Sequence, residues 1–259
     1  MFLDWLISNI LWISLLLLLA SALANRSLVA VPGWGLFGLF WLDQPGHYLA
    51  VEDYFNAALA LLAALFCLYM GWIILKKDTH SRACSWASYA AGVCGIIYFP
   101  FSEIAPLREG LIWFTVFVTA AALRSLSIPV ALVGWNMMAL NGRSVEIILA
   151  CTAIESIALF AGVIVSVQAP AIRKATALAA STLTIYVLNI VRNGFVLLAY
   201  GENWFGDDSF NVAHNVISKV GSTLALLAVA YLVFLLLPEL LLLIDELASV
   251  IKHPGEDAA

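Results

Sequence analysis

Apolar residues run along this chain in long blocks. The stretch Leu11-Trp12-Ile13-Ser14-Leu15-Leu16-Leu17-Leu18-Leu19-Ala20 is interrupted by one hydroxyl, Ser14. Transmembrane barrel strands alternate instead between apolar and polar positions, whereas about 20 continuous apolar residues carry a helix across the hydrocarbon core of a bilayer. The blocks predict spans over Phe2–Ala24, Leu28–Leu42, Phe55–Leu75, Ala83–Phe101, Leu107–Leu123, Leu126–Leu140, Thr152–Val167, Ala175–Tyr200 and Val216–Leu237. Residues 28–42 and 126–140 are short for a crossing and admit a tilted, re-entrant or half-buried hairpin arrangement. The expected fold is all-α, a polytopic integral membrane bundle of about seven to nine helices. No internal repeat or long linker divides the chain, so residues 1–259 are expected to form a single membrane domain. The first span lacks a basic leader and exceeds a signal peptide's apolar region, so it is expected to remain as a helix.

Composition decides the solvent. The chain is 63% apolar and 11% charged, with a mean hydropathy of +0.99. Soluble domains are about 45–50% apolar and about 25% charged, so lipid must cover this surface. Cys67, Cys84, Cys94 and Cys151 form no CxxC pair, which argues against a zinc or redox motif. No metal, cofactor or nucleic-acid partner is expected. Cys67, Cys84 and Cys94 lie in or beside apolar runs, where cysteine acts as a small hydrophobe.

Positive residues favour the cytoplasmic side. With Lys76, Lys77 and Arg82 inside, alternation also places Arg26, Arg124, Arg173, Lys174 and Lys252 inside. Arg108, Arg143, Arg192 and Lys219 remain in the outer half. The N-terminus then faces out and the tail Ile251–Ala259 faces in. On the outer side gather 43–53, the stretch near 103–110, 141–151 and 201–215. Three successive elements thus bring Cys151, Arg192 and His214 to one side of the membrane.

A thiolate is the nucleophilic form of cysteine, and a helix N-terminus or a nearby cation favours it. Cys151 would sit at such an N-terminus if the helix begins near Thr152; the alternative is a buried cysteine that only packs. Arg192 lies about 12 Å below the helix end at Tyr200, at 1.5 Å per residue, and a cation inside a span is costly. Asn189, one turn earlier, and the adjoining Asn193 suggest a wet polar pocket; the alternative is an ion pair with Glu155 or Glu146. His214 titrates in the range that suits proton transfer, although a lone histidine near a helix start is often only a satisfied polar group. Of the others, His80 and His253 fall on the inner side and His47 lies in an acidic loop. A nucleophile, a group to activate it and a donor for the developing oxyanion are the needs of acyl transfer.

At these residues the sequence resembles the archaeosortase/exosortase family, archaeosortase A type. The similar stretches are Ala150-Cys151-Thr152-Ala153-Ile154-Glu155-Ser156, Val187-Leu188-Asn189-Ile190-Val191-Arg192-Asn193, and Ala213-His214-Asn215-Val216-Ile217 followed by Gly221. The site-bearing part is about residues 140–240. The resemblance implies a cysteine transpeptidase of the cell membrane with its active site facing the outside. It would cleave a Pro-Gly-Phe-type C-terminal signal of secreted surface proteins and pass the new C-terminus to a membrane lipid amine through a thioacyl enzyme. Cys151 would be the nucleophile, Arg192 a proton donor or oxyanion partner, and His214 a base or stabiliser. Asn189, Asn193, Asn215, Glu155 and Lys219 are expected to bind substrate, with Lys219 a second candidate for the third catalytic role. The acidic group Glu239, Asp245, Glu246, Glu256 and Asp257 could meet the signal's basic tail, or simply be solvated. A transporter or channel using Arg192 and Glu155 along a polar path is the alternative function, though no inverted repeat supports it.

Overall fold

The computed structural model describes residues 2–24, 26–50, 52–77 and 81–252. His80, His253, Glu256 and Asp257, assigned above to the inner side, lie outside these residues. Helix makes up 83% of the structure. The α-helices are α1 (Phe2–Leu23), α2 (Ser27–Ala50), α3 (Tyr54–Lys77), α4 (Arg82–Glu103), α5 (Ala105–Ser125), α6 (Ile154–Ser166), α7 (Ala171–Gly201), α8 (Ser209–Asn211), α9 (Ser218–Leu236) and α10 (Glu239–Lys252). Among the described residues, five segments are long and apolar enough to cross a membrane: Tyr54–Lys76, Arg82–Glu103, Ala105–Ser125, Ala171–Gly201 and Gly206–Leu236. The expected all-α membrane bundle is thus the fold. Helix α2 is longer than the apolar run 28–42 foretold, and it contains Pro32 and Pro45.

The chain divides into two compact units. One holds α1 to α3, most of α4, the end of α6, and α10. Small residues let its helices approach closely. A side chain at Gly38 of α2 would meet Leu68 of α3 at 2.9 Å. Trp34, 2% exposed, donates its indole N–H to Ser88 Oγ at 2.9 Å. Glu246 of α10 accepts from Ser81 Oγ (3.0 Å) and from the Ala83 amide (3.2 Å), which fixes α10 at the start of α4. Orphan N–H groups at a helix start favour an anion there, so Glu246 already has a structural partner.

The other unit comprises Ile97–Ala161 and Ala169–Leu237 and carries the residues singled out by sequence. Its core joins Ile112, Val116, Ala120 and Leu123 of α5 to Val130, Met138, Leu140, Val145, Ile147, Cys151 and Leu197. Here the span expected over Leu126–Leu140 is corrected. Helix α5 stops in a Schellman-type cap: the Ser127 amide bonds to the Arg124 carbonyl and the Ile128 amide to that of Leu123, with Ser127 at φ 64. Pro129 follows and cannot donate to a continuing helix. The chain then forms an antiparallel sheet of β1 (Ala131–Leu132), β2 (Met137–Leu140) and β3 (Arg143–Glu146), in the order β1-β2-β3. Leu140 pairs with Arg143 across Asn141 and Gly142, whose φ values of 52° and 78° suit a type I′ turn. Met138, Leu140 and Val145 point into the core, so the apolar residues of this stretch follow a period of two rather than 3.6.

The hairpin grips the end of α7. Arg143 Nη1 donates to the Tyr200 carbonyl (3.0 Å) and to Asn203 Oδ1 (2.8 Å), and its guanidinium lies 5.1 Å from the Tyr200 ring centroid. Asn141 Nδ2 donates to Glu202 Oε1 at 2.8 Å. Gly201 permits this approach, because a Cβ there would fall 2.9 Å from Leu140 Cβ.

Candidate active site

Cys151 ends a 3-10 turn, Leu149–Cys151, that leads from the sheet toward α6. Thr152 folds its hydroxyl back onto the Leu149 carbonyl at 2.7 Å. Ala153 then adopts φ 64, and its carbonyl accepts from the Ile157 amide, the first bond of α6. The helix therefore begins at Ile154, later than the expected start near Thr152, and the cysteine precedes it in an irregular segment. Left-handed backbone costs a residue with a Cβ about 1–2 kcal/mol, and such strain persists only where surrounding contacts impose it.

Those contacts come from α7. Asn189 and Asn193 donate their side-chain N–H groups to the Cys151 carbonyl at 2.8 and 2.9 Å. Both amides are buried, at 7% and 4% exposure, and Cys151 is itself 7% exposed within the apolar cluster. Positions i and i+4 share one helix face, so the two asparagines engage both lone pairs of one carbonyl. Buried donors left unpaired cost about 1–3 kcal/mol, which makes this pair a strong constraint on the Cys151 backbone.

Arg192 lies on the same turn of α7, three residues after Asn189. Its Nε is buried with no hydrogen-bond partner. Among the described residues no ion pair joins it to Glu155 or Glu146; Glu146 instead accepts from Asn136 Nδ2 at 2.8 Å. Arg192 lines a cavity of about 310 Å³ together with Ala150, Ala153, Glu155, Asn189 and Ser218. Ala150 is the middle residue of the Cys151 turn and Ala153 follows it. The remaining wall is largely apolar and comes from α7 and α9.

The third element is the segment before α9. Residues Val212–Ile217 form a π turn, a rare geometry that often marks functional sites. His214 lies in it, half-buried and stacked on Phe210 with ring centroids 5.2 Å apart and planes 10° apart. Asn215 is exposed and donates to Asn211 Oδ1 at 2.8 Å. Lys219 is likewise exposed, and its carbonyl accepts from Thr223 Oγ1. Neither lines the cavity.

The structure thus joins Cys151 to Asn189 and Asn193 and brings Arg192 and Glu155, from different helices, to one cavity, whose lining includes neither Cys151 nor His214. Three contributors escaped the sequence reading, and one of them carried a signal that hydropathy obscured. Asn141-Gly142 between short alternating segments is a strong hairpin sign. The strain at Ala153 has no sequence mark. Ser218 is 5% exposed with its hydroxyl unpaired. An open-edged sheet is not stable in hydrocarbon, so the hairpin and the α7 terminus it grips belong at the membrane surface, with Arg192 below them.

Comparison with known proteins extends this picture. Residues 5–235 match the transmembrane exosortase family, Exosortase_EpsH. The chain is 31% identical to an archaeosortase A of Natronomonas pharaonis over 276 residues, covering 91% of this chain and 85% of the relative. It is also 31% identical to an archaeosortase A of Haloferax volcanii over 297 residues, covering 97% and 96%. No solved structure matches the chain.

Proposed function

The chain belongs to the transmembrane exosortase family, and from that premise we propose that it is a membrane-embedded cysteine transpeptidase of the archaeosortase A kind. Its substrates are secreted surface proteins whose C-terminal signal includes a membrane-spanning tail. The site-bearing part is residues 140–240, and the site faces outside the cell, where such proteins emerge.

One observation carries the residue assignment. The backbone of Cys151 is held by two buried amides of α7, and the same helical turn presents an unpaired arginine to the adjoining cavity. In the first step Cys151 loses its proton to His214, and Sγ attacks the carbonyl carbon at the signal. Arg192 donates N–H bonds to the resulting oxyanion. The C–N bond then breaks, the leaving amine takes up the proton, and a thioester remains on Cys151. In the second step a lipid amine attacks the thioester, His214 takes the amine's proton and returns it to the departing Cys151 sulfur, and the protein is left amide-linked to lipid. Asn189 and Asn193 act as positioning residues through the Cys151 carbonyl. Glu155, at the cavity lining, offers a carboxylate to the incoming amine.

The test is processing of a signal-bearing peptide by the full-length protein in lipid vesicles. Wild type cleaves it and Cys151→Ala does not. Wild-type rates from Cys151→Ala would end this reading.

A further inference from the structure

Residues 125–142 carry no charged side chain, and the sheet they form has one uncovered corner. Ala131 to Trp135 are all exposed in sequence. Val133 and Trp135 show 56% and 51% of their surface, and Leu126 and Ile148 are likewise open. Met138, Leu140 and Val145 of the same sheet fill the core instead. A run of exposed apolar residues that no part of the fold covers marks a contact with something outside it.

The direction of the sheet identifies that contact. Its Asn141-Gly142 turn is tied to the end of α7, through Asn141 to Glu202 and Arg143 to the Tyr200 carbonyl. Further along the chain, the Cys151 carbonyl is bound by Asn189 and Asn193 of the same helix. At 1.5 Å per residue those asparagines lie about 10 to 17 Å from Tyr200, toward the middle of the span. The chain from Arg143 to Cys151 therefore descends along a membrane-crossing helix. The β1–β2 turn is at the opposite end of the sheet from Asn141-Gly142, and its Asn136 carbonyl accepts from the Ile147 amide on that descent (2.8 Å). At the level of the asparagines, Val187 and Val191 are exposed side chains of the α7 span. The α5 span ends at Ser125, immediately before the exposed Leu126. The apolar corner is thus continuous with helix surface that faces lipid.

Two features limit its depth. Strand β1 is an edge of the sheet, and unpaired edge backbone is excluded from hydrocarbon. Charges also stand at the margins: Glu146 accepts from Asn136, and Arg124 donates to the Val130 carbonyl. The headgroup boundary meets both conditions, and tryptophan is enriched there. From this we infer that the β1–β2 turn is an interfacial anchor, with Val133 and Trp135 inserted into the lipid headgroup boundary on the hairpin's side of the membrane. Contact with the bilayer at this turn is independent of which reaction the site performs.

The test attaches the fluorophore NBD to Val133→Cys in the full-length protein, reconstituted in phosphatidylcholine vesicles. Labelling of the unsubstituted protein, whose Cys67, Cys84 and Cys151 are buried, sets the background. Asp207→Cys, in the exposed turn after α7, carries the same label as a water-facing reference. Emission from position 133 should lie to the blue of that from 207 and resist aqueous iodide. It should lose most of its intensity to lipid bearing a nitroxide near the headgroup, and less to a nitroxide near the acyl terminus. Iodide quenching as strong as at 207 would place the turn in water and overturn the proposal. Protection from iodide and from both nitroxides would assign the corner to a protein contact and overturn it equally. Strongest quenching by the deep nitroxide would contradict the interfacial depth. A label-free measurement uses brominated lipid, which should quench less of the tryptophan emission in Trp135→Phe than in wild type. Equal quenched emission in the two proteins would show that Trp135 does not touch lipid and overturn the anchor.

Discussion

Cys67 and Cys151 are both buried in apolar sequence, at 3% and 7% exposure, and their surroundings differ in kind. Cys67 lies mid-helix in α3, on a buried face that repeats through Ala57, Ala60, Ala64, Cys67, Met70 and Ile74. That spacing of three and four is an ordinary helix stripe, and the thiol there fills space as a small hydrophobe. Cys151 lies outside any α-helix, at the end of a 3-10 turn and two residues before a left-handed alanine, with its carbonyl held by two buried amides. Burial and hydropathy do not separate a packing cysteine from a positioned one. The backbone around it, and the polar side chains committed to that backbone, do.

Substitutions can break or sharpen this contrast. The largest effect is expected at Arg192. A lysine ammonium does not reproduce the planar fork of guanidinium, so Arg192→Lys should lower kcat about 100-fold or more, as losing an oxyanion donor does; peptide cleavage assays read this directly. Asn189→Ala and Asn193→Ala should each cost about 1–3 kcal/mol in stability and slow processing, as thermal melts and rates would show. Because either single variant leaves the Cys151 carbonyl one amide donor and the double variant leaves it neither, the double should lose more than the sum of the singles. Gly201→Ala should push Leu140 and the hairpin away from α7, destabilising the protein by about 1–3 kcal/mol, in the range of overpacked contacts. At Ala153, glycine relieves a backbone cost of about 1–2 kcal/mol, so the Tm of Ala153→Gly should hold or rise while that of Ala153→Val falls. The smallest effect belongs to Cys67→Ala, which should leave processing near wild type, since that thiol only packs. A Cys67 variant as damaging as a change at Cys151 would erase the distinction between the two.

Much of this was legible in the chain. Long apolar runs located the helices, because the bilayer dictates their length. The polar face Asn189, Arg192 and Asn193 emerged from 3.6-residue spacing alone. The short segment 126–140 misled for a physical reason: Met137 to Leu140 are apolar, and hydropathy does not record that they alternate between half-buried and buried. Asn141-Gly142 held the correction. Other features depend on tertiary packing. The asparagines find a backbone carbonyl thirty-eight and forty-two residues away, and no side-chain pattern announces a carbonyl as partner. The π turn beside His214 and the free hydroxyl of Ser218 arise from local backbone geometry that propensity does not encode.

The sharpest measurement is intact-protein mass spectrometry of the enzyme with a signal-bearing peptide and no lipid amine. The expected result is a peptide adduct on Cys151 that hydroxylamine releases, as a thioester requires. Peptide cleavage with no such adduct, or an adduct on Cys67, Cys84 or Cys94 instead, would contradict the assignment of Cys151 as the acylated nucleophile.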